Sequence, residues 1–359
     1  MKSICNVDWL ELYCSQYNPK LVENKAFSAT SGCDTFDAAL RPYGTRVYRN
    51  VWKVSYNGHE FMEICCCPLS AKTDGGILKD TDCHVKLCNY WLYTDVWYQL
   101  LTHALGAYCI KPIKPARLDI CCDFQYLRNG LSGAALMAGI VKRNYVKVHQ
   151  PKWSMHGIDS DKKLWINSLS FGSKKSAVFT RFYNKSFELL SSGKTYIADM
   201  WLNVGFKEGE SVYRVELSIA GTGLESIDKA TGCILSIDWE SLSSRQYIEE
   251  QFLYYSKYYF DIRRRDNARK DRCSPLDLFD HTDLDYKAWQ NPRNGLSGRT
   301  TRLVINYLTA NMQRFAADPD SYNALMKILY TEVMDTQLIP LFYETDKRNA
   351  DRAFATIGS

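Results

Sequence analysis

The sequence is short of the signatures that most often reveal an enzyme class. Its six histidines (His59, His84, His103, His149, His156 and His281) include no His-x-His pair, so a paired-histidine metal site is not expected. There is no Cys-x-x-Cys pair, and Cys83, His84 and Cys88 have no second spaced set, so no structural zinc is expected either. A Gly-x-Ser-x-Gly elbow and a Gly-x-x-x-x-Gly-Lys-[Ser/Thr] loop are both missing. Those absences argue against a Ser-His-Asp hydrolase and a P-loop ATPase. The opening MKSICNVDWL has no basic stretch leading into an apolar run, and no segment is long and apolar enough for a bilayer. No internal repeat, long linker or low-complexity tract breaks the chain.

What is present suits a globular protein of one large or two ordinary domains: 359 residues, 46% of them hydrophobic. The net charge of +5 permits a polyanionic partner without demanding one. Aromatics are plentiful, with 24 Tyr and 9 Trp, which supplies either stacking platforms or strand residues. Several of the 13 cysteines stand side by side in apolar runs, Cys65-Cys66-Cys67 and Cys121-Cys122. Buried cysteine behaves as a small hydrophobe, so the expectation is a reducing, cytoplasmic setting with few or no disulfides.

The front of the chain reads as strands. CNVDWLEL (5–12) opens it, and VYRNVWKVSY and HEFMEICC flank Asn57-Gly58 as a hairpin. Apolar spacing over 92–105 predicts a helix, and small apolar residues predict another over 132–143. KPIKP (111–115) reads as a stiff connector because proline restricts itself and its neighbour. RLDICCDF (117–124), LWINSLSF (164–171), 177–185 and VYRVELSI (212–219) read as strands. After about Gly223 the texture turns helical, over 244–259 and 301–315, with the basic stretch DIRRRDNARKDR (261–272) between them.

Side chains alternate across a strand. That rule gives one face to Phe179, Arg181, Tyr183 and Lys185, so a phenol sits between two cations. It gives another to Arg117, Asp119, Cys121 and Asp123, and a third to Arg214, Glu216 and Ser218, each backed by an apolar face. If these strands are neighbours in one antiparallel sheet, the charged faces coincide. Two or three carboxylates there favour a hard cation such as Mg²⁺ or Mn²⁺, which polarises a phosphoryl oxygen. Tyr183 is then a candidate nucleophile, which needs help because a free phenol has a pKa near 10. The plain alternative is a half-buried strand with ordinary surface ion pairs, for example Asp119 with Arg181.

The series VDWLEL, RLDICCDF, GSKKSAVFTRFYNKSFE and YRVEL resembles the replication initiation factor family over roughly residues 4 to 220. That family includes initiators of rolling-circle plasmids, related proteins of filamentous phages and some conjugative relaxases. Its pattern R-x-D-x-x-x-D falls on Arg117, Asp119 and Asp123. Its G-x-[RK]-x-S falls on Gly172, Lys174 and Ser176, and R-x-Y-[DEN]-K-x-x-E on Arg181, Tyr183, Lys185 and Glu188. Its R-x-E strand falls on Arg214 and Glu216.

The resemblance implies a nicking-closing DNA strand transferase. Its tyrosine joins a 5′ phosphate at a plasmid or phage origin and frees a 3′ hydroxyl. A divalent metal, Mg²⁺ or Mn²⁺, is held by acids. The order of preference here is Glu216 and Asp119, then Asp123 and Glu188, with Glu188 alternatively paired to Lys185. Catalytic roles fall on Tyr183, Lys185, Arg181 and Arg214, and DNA contacts on Lys174, Lys175, Arg263, Arg264 and Arg265. A host helicase and a second copy of the chain are possible partners.

The fold class expected is α+β: a mostly antiparallel sheet with helices on one face, like a ferredoxin-like nickase. A catalytic part would span 1–222, with a helical region over 223–359 for DNA recognition or dimerisation. A relaxase with the same chemistry, and a non-catalytic DNA-binding protein, are the competing readings.

Overall fold

The computed structural model describes residues 3–69, 72–73, 76–77, 79–160, 163–227 and 234–280. The helix expected over 301–315 lies outside them. One compact unit takes in the described residues up to Glu225 and again from Ser236. The break expected at residue 222 therefore falls within a stretch that continues past it to Glu225, and the chain after Ser236 returns to the same unit.

An eleven-stranded, wholly antiparallel sheet organises the unit. Its strands are β1 (Ser3–Cys14), β2 (Ala26–Ser31), β3 (Asp34–Leu40), β4 (Tyr48–Tyr56) and β5 (His59–Pro68). After a small separate ladder of β6 (Lys72–Thr73) and β7 (Gly76–Ile77) come β8 (Cys83–Leu87) and β9 (Pro112–Phe124). β10 (Tyr145–Lys147) pairs with Ile262–Arg264 apart from the main sheet. β11 (Trp153–Ser160), β12 (Lys163–Phe171), β13 (Val178–Asn184) and β14 (Tyr213–Ala220) complete it. From edge to edge the order is β11-β12-β13-β14-β9-β1-β8-β5-β4-β3-β2.

The local reasons are visible. Asn57 and Gly58 both take positive φ, 50° and 78°, which is the turn geometry that Asn-Gly supplies between β4 and β5. Segment 111–115 is not a connector: β9 begins at Pro112. Its proline half pairs only with β1, because the ladder to β14 ends at Arg117↔Ala220. Register shifts in β1 opposite this half accommodate residues that cannot donate.

The α+β reading with a largely antiparallel sheet holds. Helices are α1 (Lys20–Glu23), α2 (Trp97–Ala107), α3 (Gly133–Val141), α4 (Lys185–Ser192), α5 (Thr195–Asn203) and α6 (Arg245–Tyr259). Ser132 and Ser244 cap α3 and α6 by accepting from backbone N–H groups three residues on. The core face of the central strands (Leu118, Ile120, Cys122 and Phe124 beside Val215 and Leu217) is fully buried. α6 covers it, where Thr180 donates to the Tyr259 carbonyl and Phe182 meets Phe260.

Helices are not confined to that face. α5 lies on the other one, where Ile197 and Trp201 cluster with Phe206, Val212 and Ile4, because the end of the charged face is itself apolar. All described cysteines are free thiols. Among the described residues no helix is long and apolar enough to cross a membrane.

The seating of α3 depends on Gly133, where a Cβ would come within 2.1 Å of the Tyr213 ring. Gly133→Ala is therefore expected to lower stability by about 1–3 kcal/mol, despite alanine's better helix propensity. Urea denaturation of the two proteins checks this, and an equal or more stable variant would contradict the packing described.

Candidate active site

The register brings the three charged strand faces together. Asp119 lies opposite Ser218, Glu216 opposite Arg181, and Arg214 between Tyr183 and Asp123. A β-bulge in β1, between Val7 and Trp9, adds Asp8 to the same surface.

The lower layer is an ion cluster centred on a buried guanidinium. Arg214 is wholly buried and donates through Nε and Nη2 to Asp123, at 2.5 and 2.7 Å. Its Nη1 donates to Asp8 at 2.7 Å. Trp201 Nε1 donates to Asp123 at 2.8 Å, and Tyr93 Oη donates to Asp8. Burial works against the charge on Asp8, but Arg214 and Lys185 outweigh it and hold the carboxyl well below its usual range. Neither Arg214 nor Asp123 lines the cleft above.

The upper layer is built on Glu216, itself buried. Tyr183 Oη donates to Glu216 Oε2 at 2.8 Å, and Arg181 pairs with Oε1. Tyr183 is 8% exposed; burial first, then the Glu216 charge, push its pKa well above that of a free phenol. Arg181 and Lys185 lie 5.5 and 5.7 Å from its ring centroid. Lys185 is not a strand residue: Asn184 caps a helix by accepting from Phe187 N, and Lys185 begins that helix. The buried ammonium still sits beside the ring, paired to Glu188 at 2.5 Å. Asp119 is held by Arg117 at 2.9 and 2.6 Å, not by Arg181. Burial, opposed by Arg117 and reinforced by Glu216, raises its pKa to about 6.

Together these groups floor and flank a cleft of about 470 Å³ lined by Arg117, Asp119, Arg181, Tyr183, Lys185 and Glu188. Asp8, Trp9 and Lys194 also line it. None of these three, nor Arg117, was assigned a role from the sequence, although Asp8 and Arg117 stand inside the motifs singled out. Lys174 and Lys175 sit elsewhere, exposed on the turn between β12 and β13. Arg263 is no free phosphate ligand, since Asp261 takes its guanidinium at 2.8 Å. Arg264 and Arg265 are exposed, on and just after a short strand away from the cleft.

The four acids do not fit a cage for Mg²⁺ or Mn²⁺ in this arrangement. Each is already matched by a cation: Asp123 by Arg214, Asp119 by Arg117, Glu216 by Arg181 and Glu188 by Lys185. Among the described residues no three His, Cys, Asp or Glu side chains converge to hold an ion.

No protein-family model matches the chain, and no curated protein matches it by sequence. Among solved structures it is similar to a rolling circle replication initiator protein from Geobacillus stearothermophilus. The identity is 14%, the match covers 76% of this chain and 92% of that one, and the TM-score is 0.40.

Two outcomes follow from the ion layers. Arg214→Met leaves two buried carboxylates without their cation and is expected to cost about 3–5 kcal/mol, read by chemical denaturation. A loss under 1 kcal/mol would mean that the clamp is not a stability element. For Asp119 the raised pKa fixes the sign: the folded state holds the proton more tightly, so ionisation weakens folding as pH rises from about 4 to about 6. Asp119→Asn should remove a loss on the order of 2–3 kcal/mol across that window, measured as the difference between urea curves at pH 4 and pH 7.

Proposed function

We propose that this chain is a replication initiator that cuts one DNA strand at an origin through Tyr183. The observation that carries the reading is the 2.8 Å hydrogen bond from the phenol to Glu216 on the floor of a cation-flanked cleft. A phenol with a raised pKa cannot attack as a phenolate at neutral pH. It needs a base that takes the proton as the bond to phosphorus forms, and Glu216 is in place to do so.

In the proposed step, Tyr183 Oη attacks the scissile phosphorus, its proton passes to Glu216, and the bond from phosphorus to the 3′ oxygen breaks. The 3′ oxygen takes a proton from water as it leaves, so the products are a 5′-phosphotyrosine and a free 3′ hydroxyl for a polymerase. Arg181 and Arg117 are partly exposed and can turn toward the phosphate oxygens as charge builds up there. Lys185 steadies the ring from inside. Apart from that proton from water, these steps use only side chains of this chain. A Mg²⁺ or Mn²⁺ ion shared by Asp119 and Glu216 would first have to displace Arg117 and Arg181.

A relaxase would use the same chemistry. A non-catalytic DNA-binding protein is favoured by one observation, the near-complete burial of the phenol.

The test is incubation of the full chain with a labelled single-stranded origin oligonucleotide, with Mn²⁺ and with chelator, resolved on a denaturing gel. A covalent protein–DNA adduct is expected. Tyr183→Phe should abolish it, and Glu216→Gln should slow it by roughly 10²–10⁴-fold. An adduct that survives Tyr183→Phe would move the nucleophile elsewhere. Tight binding without any adduct would leave a binding protein.

A further inference from the structure

A second cleft, of about 290 Å³, opens beside β10 and shares no lining residue with the first. It is lined by Arg143, Lys147, Gln150, Trp153, Arg265 and Lys270, among others, and no described residue lining it is acidic. Lys147 is 8% exposed. Its ammonium donates to the His149 carbonyl at 2.7 Å and to Gln150 Oε1 at 3.3 Å, two neutral acceptors for three protons. Among the described residues no carboxylate forms an ion pair with Lys147, Arg143, Arg265 or Lys270.

Burying an ammonium costs free energy unless a counter-charge arrives. Burial pulls the Lys147 pKa down to about 7 even with Asp261 opposing it. The cleft is held rigidly. Gln150 Nε2 donates to the Val178 carbonyl at 2.8 Å, at the start of the strand that carries Tyr183. Arg265 N donates to the Asn144 carbonyl at 2.9 Å, fixing the basic segment against the end of α3. Arg143 and Gln150 both take positive φ, 63° and 57°, a backbone cost for residues with side chains. Trp153, 45% exposed, adds an open aromatic face among the cations.

We infer that this cleft is a second anion site, taking a phosphate of a nucleic-acid strand on Lys147, Arg265 and Lys270 while an adjoining base rests on Trp153. Interleaved cations and an exposed ring are what a sequence-tolerant strand contact needs. The inference does not depend on the tyrosine chemistry. It requires only that a phosphate binds, and the same phosphate chemistry could come from a free nucleotide.

The experiment is fluorescence anisotropy of a labelled oligo-dT across a salt series, with the full chain in a Tyr183→Phe background so that no covalent step contributes. ATP is titrated in a parallel arm. Arg265→Ala/Lys270→Ala changes two exposed side chains. It should weaken oligonucleotide binding about tenfold and reduce the log–log salt slope by about two. Lys147→Met should weaken it similarly. The exposed double variant decides the matter if that buried change unfolds the chain. Arg269→Ala, which removes an exposed charge paired with Asp271 outside the cleft, should stay within about twofold of the parent. If only the oligonucleotide arm weakens, the occupant is a strand; if ATP binding falls as well, the site also takes a free nucleotide. Unchanged affinity and salt slope in both arms would overturn the inference.

Discussion

A guanidinium with no water around it joins three strands: Arg214 from β14, Asp123 from β9 and Asp8 from β1. Desolvating one cation and two carboxylates is costly, and only near-ideal geometry offsets it. The geometry is supplied by the register, which sets Arg214 directly opposite Asp123, and by the bulge that turns Asp8 inward. The α5 cluster then seals that end of the face with apolar side chains and the Trp201 indole. A cation below the sheet surface is therefore a fixed part of the field under Tyr183, whatever occupies the cleft above.

The two ion layers divide the labour by burial. Arg214, Asp123 and Asp8 are spent on holding strands together. The exposed partners Arg117 and Arg181 are the ones with freedom to exchange a carboxylate for an incoming phosphate, since their side chains remain 37% and 42% exposed. Each pair is exposed on the guanidinium side only, and its carboxylate is buried, so releasing the cation carries a cost that contacts to a ligand would have to offset. Asp119 lines the cleft and Glu216 lies buried beneath it, so under the proposed strand-cutting role it is the two guanidinium groups that would meet the polyanion.

How far the sequence revealed this depends on how local each cause is. Asn57-Gly58 announced its hairpin because the turn is decided by two residues. Alternation placed Asp119, Asp123, Glu216 and Tyr183 on one surface once β9, β14 and β13 proved adjacent. The strand end at Asn184 escaped notice, although an Asn before a helical run is a cap signal. The prolines of 111–115 misled because their tolerance depends on which partner strand runs past them. Which acid meets which base was legible for Glu188 with Lys185, three residues apart, and not for the pairs set by the sheet. Arg117 reaching Asp119, and Asp261 taking Arg263, are choices made by side chains once folded.

The bulge at Asp8 has a consequence for how β1 carries information. Ahead of it Asn6 lies opposite Cys121 and Val7 opposite Ile120. Beyond it Trp9 lies opposite Asp119 and Leu10 opposite Leu118. The strand thus contains two alternation phases spliced at a single residue. Removing Asp8 would fuse the two phases into one continuous alternation, with Trp9 and Glu11 still toward the cleft and Leu10 and Leu12 still toward the core. A deletion elsewhere in the strand would instead invert the polarity of everything on one side of it. The residue at the splice is thus the one position of β1 that the frame of the fold can spare, and it is present for its side chain, the carboxylate that receives Arg214 Nη1.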